Sequence, residues 1–167
     1  EAATRDQMRF VPPKTEAQQA LAMLNSLRDS FIRDRTATMN RIHAYLLEVG
    51  VSLAPTFKAV RELPILLDDS TFSPLIKKLL LDLHAHFRYL DDRIKALDKE
   101  VHSQAVSDDL ASRLMSIPCI GPITATALAA ELGDGKQFRC GRNYSASIGL
   151  VPRQHTTGGK PCLGRIS

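Results

Sequence analysis

The stretch Ser73-Pro-Leu-Ile76-Lys-Lys-Leu-Leu80-Leu-Asp-Leu83-His-Ala-His-Phe87-Arg-Tyr-Leu90-Asp-Asp-Arg-Ile94-Lys-Ala-Leu97-Asp-Lys-Glu-Val101 decides the fold. Its apolar residues Ile76, Leu80, Leu83, Phe87, Leu90, Ile94, Leu97 and Val101 follow one another at intervals of 4, 3, 4, 3, 4, 3 and 4. An average step of about 3.5 residues keeps a narrow apolar seam on one side of an α-helix, as in a coiled coil. The seam predicts a long helix that needs a partner along its whole length. Two partners would serve: an earlier helix folded back as an antiparallel hairpin, or the same helix of a second copy, which would make a homo-oligomer through residues 76–101.

Working outward towards the N-terminus, Thr15 and Gln18 have the spacing of a capping box. Apolar residues then recur at Leu21, Leu24, Phe31, Met39, Ile42, Leu46 and Val49, ahead of Gly50. This predicts one helix of roughly nine turns, the natural partner for the seam. Arg28, Arg33, Arg35 and Arg41 on its other faces are balanced by Asp29, Asp34 and Glu48, and read as a solvated surface. Between the two helices, Pro55, Pro64 and Asp68-Asp69-Ser70 indicate a connector over 50–71 with one short helix. His84 and His86 stand two apart, on different faces, and cannot chelate one metal together. With His43 and His102 they read as surface histidines.

Composition agrees with a mainly α fold. The 167 residues are 44% hydrophobic and 5% aromatic with no Trp, which favours helices packed on helices. Cys119, Cys140 and Cys162 form no C-x-x-C pair, and a zinc site drawn from Cys140, His155 and Cys162 lacks a fourth ligand. The opening Glu-Ala-Ala-Thr-Arg-Asp lacks a signal-peptide core, and no apolar run approaches the ~18 residues of a membrane span. A bacterial cytoplasm, with no membrane partner, is expected. The net charge of +4 lies entirely in the last fifty residues: 118–167 hold Lys136, Arg139, Arg142, Arg153, Lys160 and Arg165 against Glu131 and Asp134. A basic segment on a neutral helical body suggests an anionic partner.

That segment also carries the motifs. After Ser107-Asp108-Asp109, a helix start, come Ile117-Pro-Cys-Ile-Gly121-Pro122 and a second helix from Ile123 to Leu132, ended by Gly133. A tight helical hairpin follows from this, with Gly121 expected to take the unusual backbone angle and Cys119 expected to be a small buried hydrophobe. Free N–H groups of Ile123 and Thr124 at the start of the second helix would suit a phosphate. The segment is similar to the helix-hairpin-helix motif, which grips the DNA backbone without reading bases. An ordinary helix-turn-helix corner fits the same spacing.

Read together, Ser116-Ile-Pro-Cys-Ile-Gly-Pro-Ile-Thr-Ala-Thr-Ala-Leu-Ala-Ala-Glu-Leu-Gly-Asp-Gly135, Ile148-Gly-Leu-Val-Pro-Arg-Gln-His-Thr-Thr-Gly-Gly-Lys160 and Leu163-Gly-Arg-Ile-Ser167 resemble one family. It is the C-terminal, Transposase_20-type domain of insertion-sequence-110-type transposases, relatives of the Piv and MooV DNA invertases. The resemblance implies three parts: residues 1–13 as the tail of an N-terminal RuvC-like domain, 14–107 as a coiled-coil linker arm, and 108–167 as a DNA-binding transposase domain. It further implies DNA as partner, in some members an element-encoded guide RNA, and assembly into oligomers. No cofactor is expected in this chain; a divalent metal, magnesium, is implied for an acidic tetrad upstream of Glu1. The chain alone is therefore expected not to cleave DNA.

One position departs from the hairpin motif and one from the family pattern. Cys119 stands where the hairpin motif has its first glycine, and Thr157, with Thr156 beside it, stands where the family has the serine that attacks DNA. Thr157 carries the same hydroxyl on a stiffer, β-branched side chain, and from spacing alone it could equally be a turn residue capping a backbone N–H. Gly158 and Gly159 before Lys160 lack the further residues of a phosphate-binding loop for nucleotides. Arg153, Lys160 and Arg165, on an expected exposed loop, are candidate DNA contacts, together with Gly121, Pro122, Ile123, Thr124, Gly158 and Gly159. Arg139 and Arg142, flanking a short helix from Asn143 to Ile148, come second. The competing readings are a non-catalytic DNA-binding adaptor and a coiled-coil oligomerisation module.

Overall fold

A computed structural model describes residues 13–68, 71–133 and 135–166. Its elements are α1 (Glu16–Glu48), α2 (Phe57–Arg61), α3 (Leu63–Asp68), α4 (Pro74–Ser107), α5 (Asp109–Met115), α6 (Pro122–Leu132), α7 (Gly141–Ser147), β1 (Pro152–Thr157) and β2 (Lys160–Ile166). The fold is mainly α. The reading of residues 1–13 as a domain tail falls almost wholly outside the described residues.

α1 begins at the Thr15–Gln18 capping box, in which each side chain bonds the other's backbone N–H. Ser73 caps α4 through Ile76 N, and Pro74 fills its first turn, where a missing N–H costs nothing. Each long helix runs about 50 Å at 1.5 Å per residue. They pack side by side and antiparallel: Arg28 meets Asp98 while Arg35, further along α1, meets Asp91, earlier in α4. The seam of α4 therefore faces its own chain, with Leu80, Phe87, Leu90, Ile94, Leu97 and Val101 buried. Of the two expected partners for the 76–101 seam, the earlier helix of the same chain occupies this surface.

Two apolar clusters clamp the ends of this hairpin. At the loop end, the connector forms two short helices rather than one, and Val60, Leu63 and Leu67 close over Ile42, Leu46, Leu80 and Phe87. Thr56 caps α2 through Ala59 N. At the other end, α5 and α6 pack against the start of α1 and the end of α4 through Leu21, Ala105, Ala111, Ala125, Ala129 and Ala130. Alanines on α6 let the helix axes approach closely, and buried Thr126 ties α6 to α1 through Asn25 Nδ2 at 3.1 Å. Asp108 both ends α4 and caps α5 through Ala111 N at 2.7 Å, so the two helices turn on one residue.

Three further expectations change. His84 is half-buried rather than on the surface, and its Nε2 has no hydrogen-bond partner among the described residues; His43 Nε2 is in the same state. Cys119 is exposed, and it, not Gly121, takes the left-handed backbone angle, at φ 71°. Gly121 is extended, with φ −91° and ψ 175°. The segment 153–165 is a β-hairpin rather than a loop.

Candidate nucleic-acid interface

The β-hairpin follows from its turn. Gly158 and Gly159 both have positive φ, 58° and 80°, as a two-residue type I′ turn demands, and only glycine adopts this pair of angles without strain. Thr157 pairs with Lys160, Thr156 with Pro161, His155 with Cys162 and Gln154 with Leu163. In a two-residue hairpin the pair beside the turn exchanges hydrogen bonds and the next pair does not, so the missing N–H of Pro161 falls on an outward position. A bulge follows: the register slips between Gln154 and Pro152, so that Gly164 and Arg165 stand opposite Arg153. A Cβ on Gly164 would lie 3.2 Å from the Arg153 carbonyl oxygen, so glycine permits this close approach.

Alternation along the strands sorts the side chains into two faces. Arg153, His155 and Thr157 share one face with Lys160 and Cys162; Pro152, Gln154 and Thr156 share the other with Pro161, Leu163 and Ile166. One face is cationic and hydroxyl-bearing, the other largely apolar. The two threonines are thereby separated: Thr157 belongs with the cations and Thr156 does not. Every residue of both strands is exposed, and no helix packs substantially on them. Among the described residues, Arg153, Lys160 and Arg165 form no ion pair.

The helical body handles its cations differently. Asp91, almost fully buried, is held by Arg35 at 2.7 Å, Arg61 at 2.8 Å and Lys95 at 3.1 Å, and Arg35 lies 4.5 Å from the centre of the Phe57 ring. Burial pushes the Asp91 carboxyl up, but hydrogen bonds from Lys95, Arg35 and Arg61 outweigh it and hold the group at about 2. Arg28 pairs with Asp98 and Lys14 with Glu131. These cations are committed to the fold.

The expected contacts at the helical hairpin lie on a separate surface. Gly121 is the N-cap of α6, no side chain caps that end, and Pro122 occupies its first turn, leaving the N–H groups of Ile123 and Thr124 outward on exposed residues. No hydrogen bond or ion pair among the described residues joins this turn to the β-hairpin. Arg139 and Arg142 are exposed at the start of α7, which Tyr144 fastens to α6 through the Leu128 carbonyl at 3.4 Å. Phe138 packs edge-on against Tyr144, centroids 5.1 Å apart, and burial raises the Tyr144 hydroxyl above its ordinary value.

In the sequence, His155 and Cys162 read only as candidate zinc ligands. Cross-strand pairing sets them side by side, and the Gly158-Gly159 dipeptide between two short runs was the signal that could have found this arrangement. Among the described residues no three His, Cys, Asp or Glu side chains converge as a metal centre. Among the described residues no helix is long and apolar enough to cross a membrane.

Comparison with known proteins identifies the segment that carries this hairpin. Residues 111–167 match the model of the transposase IS116/IS110/IS902 family. The whole chain is 42% identical over 167 residues to the transposase for insertion sequence element IS1328 of Yersinia enterocolitica, covering 50% of that protein. It is 38% identical over 170 residues to the transposase for insertion sequence element IS1111A of Coxiella burnetii, covering 47% of it. A pilin gene-inverting protein of Moraxella bovis is 31% identical over 77 residues, which is 44% of this chain and 24% of that protein. The chain thus spans about half the length of the curated transposases it matches end to end. No solved structure matches it. Residues 111–167 therefore belong to the IS116/IS110/IS902 transposase family, and the chain as a whole is similar to about half of an insertion-sequence transposase.

Proposed function

We propose that this chain grips DNA within a transposase and that Thr157 supplies the hydroxyl that attacks a DNA phosphate. The carrying observation is the exposed hairpin face on which Thr157 stands with the unpaired cations Arg153 and Lys160, and with Arg165 in the adjoining bulge. Unpaired cations on an exposed strand pair suit a phosphate backbone, because nothing must be broken before they bind it. The turn at Gly121, with the N–H groups of Ile123 and Thr124, offers a second backbone contact on the helical body, and Arg139 and Arg142 extend the basic surface. Gly158 and Gly159 let a strand approach the turn closely, since no side chain stands there.

Family membership supports the reading of Thr157. Its place on the cationic face separates it from Thr156, which points towards Pro161 and Leu163. Threonine can act as a nucleophile when a neighbouring group takes its proton. Filter binding of duplex DNA and of structured RNA over a salt series tests the gripping role. Affinity that falls steeply with salt is the expected outcome, and its absence at low salt would overturn the reading. Tighter binding of the RNA would reassign the surface to a guide. For the attack itself, Thr157→Ala in the complete reading frame is expected to abolish excision while Thr156→Ala retains it. Full activity of Thr157→Ala would leave a non-catalytic adaptor.

A further inference from the structure

We infer that His155 is the group that takes the proton from Thr157, with Lys160 holding the phosphate under attack; this rests on the reading of Thr157 as the attacking residue. His155 and Thr157 are two apart on one strand, so both side chains stand on the same face, roughly 6.5–7 Å apart along the chain. Rotation of the imidazole and the threonine hydroxyl towards each other is able to close that gap to the ~2.6–3.2 Å of a hydrogen bond. Lys160 faces Thr157 directly across the strands, at a Cβ separation of about 4.5–5.5 Å for such pairs.

The surroundings leave the imidazole uncommitted. Among the described residues His155, Thr157 and Lys160 have no side-chain hydrogen bond or ion pair, and no helix packs substantially on this face. The ionisable groups facing His155 are therefore those of the hairpin itself: Arg153, Lys160 and Cys162, with Arg165 in the bulge. The other face offers Thr156 only Gln154, Pro161 and Leu163, none of which can take a proton. A base beside one threonine and none beside the other is what a single nucleophile requires.

The Oγ1–H bond of Thr157 breaks and its proton passes to a ring nitrogen of His155, while Oγ1 forms a bond to phosphorus. The phosphorus–oxygen ester bond to the departing strand breaks with its electron pair going to that oxygen, which takes a proton from water. The imidazolium then returns its proton to solvent, and the lysine ammonium stays charged throughout against a non-bridging phosphate oxygen.

A thiol at the threonine position reads out this proton transfer without needing DNA cleavage. In the chain with Cys119, Cys140 and Cys162 each replaced by serine, T157C and T156C each provide one thiol whose alkylation by iodoacetamide is followed against pH. For T157C the midpoint is expected about one unit below the ~8.5 of an ordinary thiol, because an adjacent imidazole accepts its proton. Adding H155Q should return it to the ordinary value, whereas K160Q should leave a histidine-dependent shift. T156C should not respond to H155Q. A T157C midpoint unchanged by H155Q, or an equal response at both positions, overturns the inference. Failure of the underlying reading is separate: it would appear as full excision by Thr157→Ala, whatever the thiols report.

Discussion

Along the arm, Arg28 reaches Asp98 at 2.5 Å and buried Asp91 gathers Arg35, Arg61 and Lys95 within 3.1 Å; in the hairpin, Arg153, Lys160 and Arg165 stand exposed, with no carboxylate partner among the described residues. The same residue types do opposite work. Around Asp91 three cations come from α1, α2 and α4, so one carboxylate locks three elements and the connector cannot swing away. A two-stranded hairpin has no such lock and little apolar area to bury, so its stability rests on the Gly158-Gly159 turn and its own ladder. Counting charge finds the basic segment, but pairing decides which cations are free to meet a partner.

The largest expected effect tests the difference in burial. Phe87 is fully buried between the connector and both long helices, and Phe87→Ala should destabilise the chain by about 3–5 kcal/mol in urea unfolding. Leu163, 71% exposed on the hairpin, should lose under about 0.5 kcal/mol on change to alanine. Comparable losses at the two sites would mean that the hairpin is packed on the body, and the contrast would collapse.

Charge gives the next effect. Each phosphate contact contributes about 0.9 to the slope of affinity against salt, so removing three contacts should weaken binding by roughly 10²–10³-fold at 0.1 M salt. A chain carrying R153Q, K160Q and R165Q is expected to show that loss for duplex DNA and a slope lower by about 3 in a filter-binding series. R28Q should leave the slope unchanged, because Arg28 is paired with Asp98. A slope that responds to Arg28 as strongly as to the hairpin would move the interface onto the arm.

Acid should separate the regions by a smaller amount. Because the folded Asp91 value of about 2 lies below the ordinary 3.8, its contribution is complete above 3.8 and is lost as pH falls through about 2. That is worth about 2 kcal/mol, read as unfolding free energy against pH, and Asp91→Asn should remove the dependence. His84 works at higher pH. Burial lowers it below 6.5, aided by the charge of Arg88 and opposed by a hydrogen bond with the Arg61 backbone. Below pH 6.5 the unfolded chain takes up a proton that the folded one resists, so some stability should drain away there and return in His84→Gln.

The arm was legible because a seam of apolar residues states both the helix and its need for a partner, and α1 carries matching residues. What the spacing could not state was which partner wins; folding back costs only the closure of the connector between Glu48 and Pro74, a cost that grows slowly with length, whereas a second copy must be recruited. The connector's two helices are not legible in the sequence, because Val60, Leu63 and Leu67 sit in pieces too short for a period to show. The hairpin escaped because its strands are polar on one face and interrupted by Pro161, which looks like a loop until the Gly-Gly turn sets the register. Thr157 was reached through family resemblance, whereas its separation from Thr156 and its neighbour His155 emerged only from strand alternation.

The smallest expected effect concerns the helical turn, where Cys119 takes the left-handed angle that the sequence reading expected of Gly121. A side chain in the left-handed region costs roughly 1–2 kcal/mol, and Cys119 at φ 71° bears that cost without burying its thiol in return. Glycine would relieve the strain but would also loosen the unfolded chain, so Cys119→Gly should gain only about 0.5–1 kcal/mol in urea unfolding. Cys119→Val should lose at least as much, since a β-branched residue tolerates this angle poorly. Gly121→Ala, at extended φ with nothing within 4 Å of the new Cβ, should be nearly neutral to stability. If Gly121→Ala destabilised the chain more than Cys119→Val, the turn would have the backbone first expected from its sequence. The N–H groups of Ile123 and Thr124 would then need placing afresh.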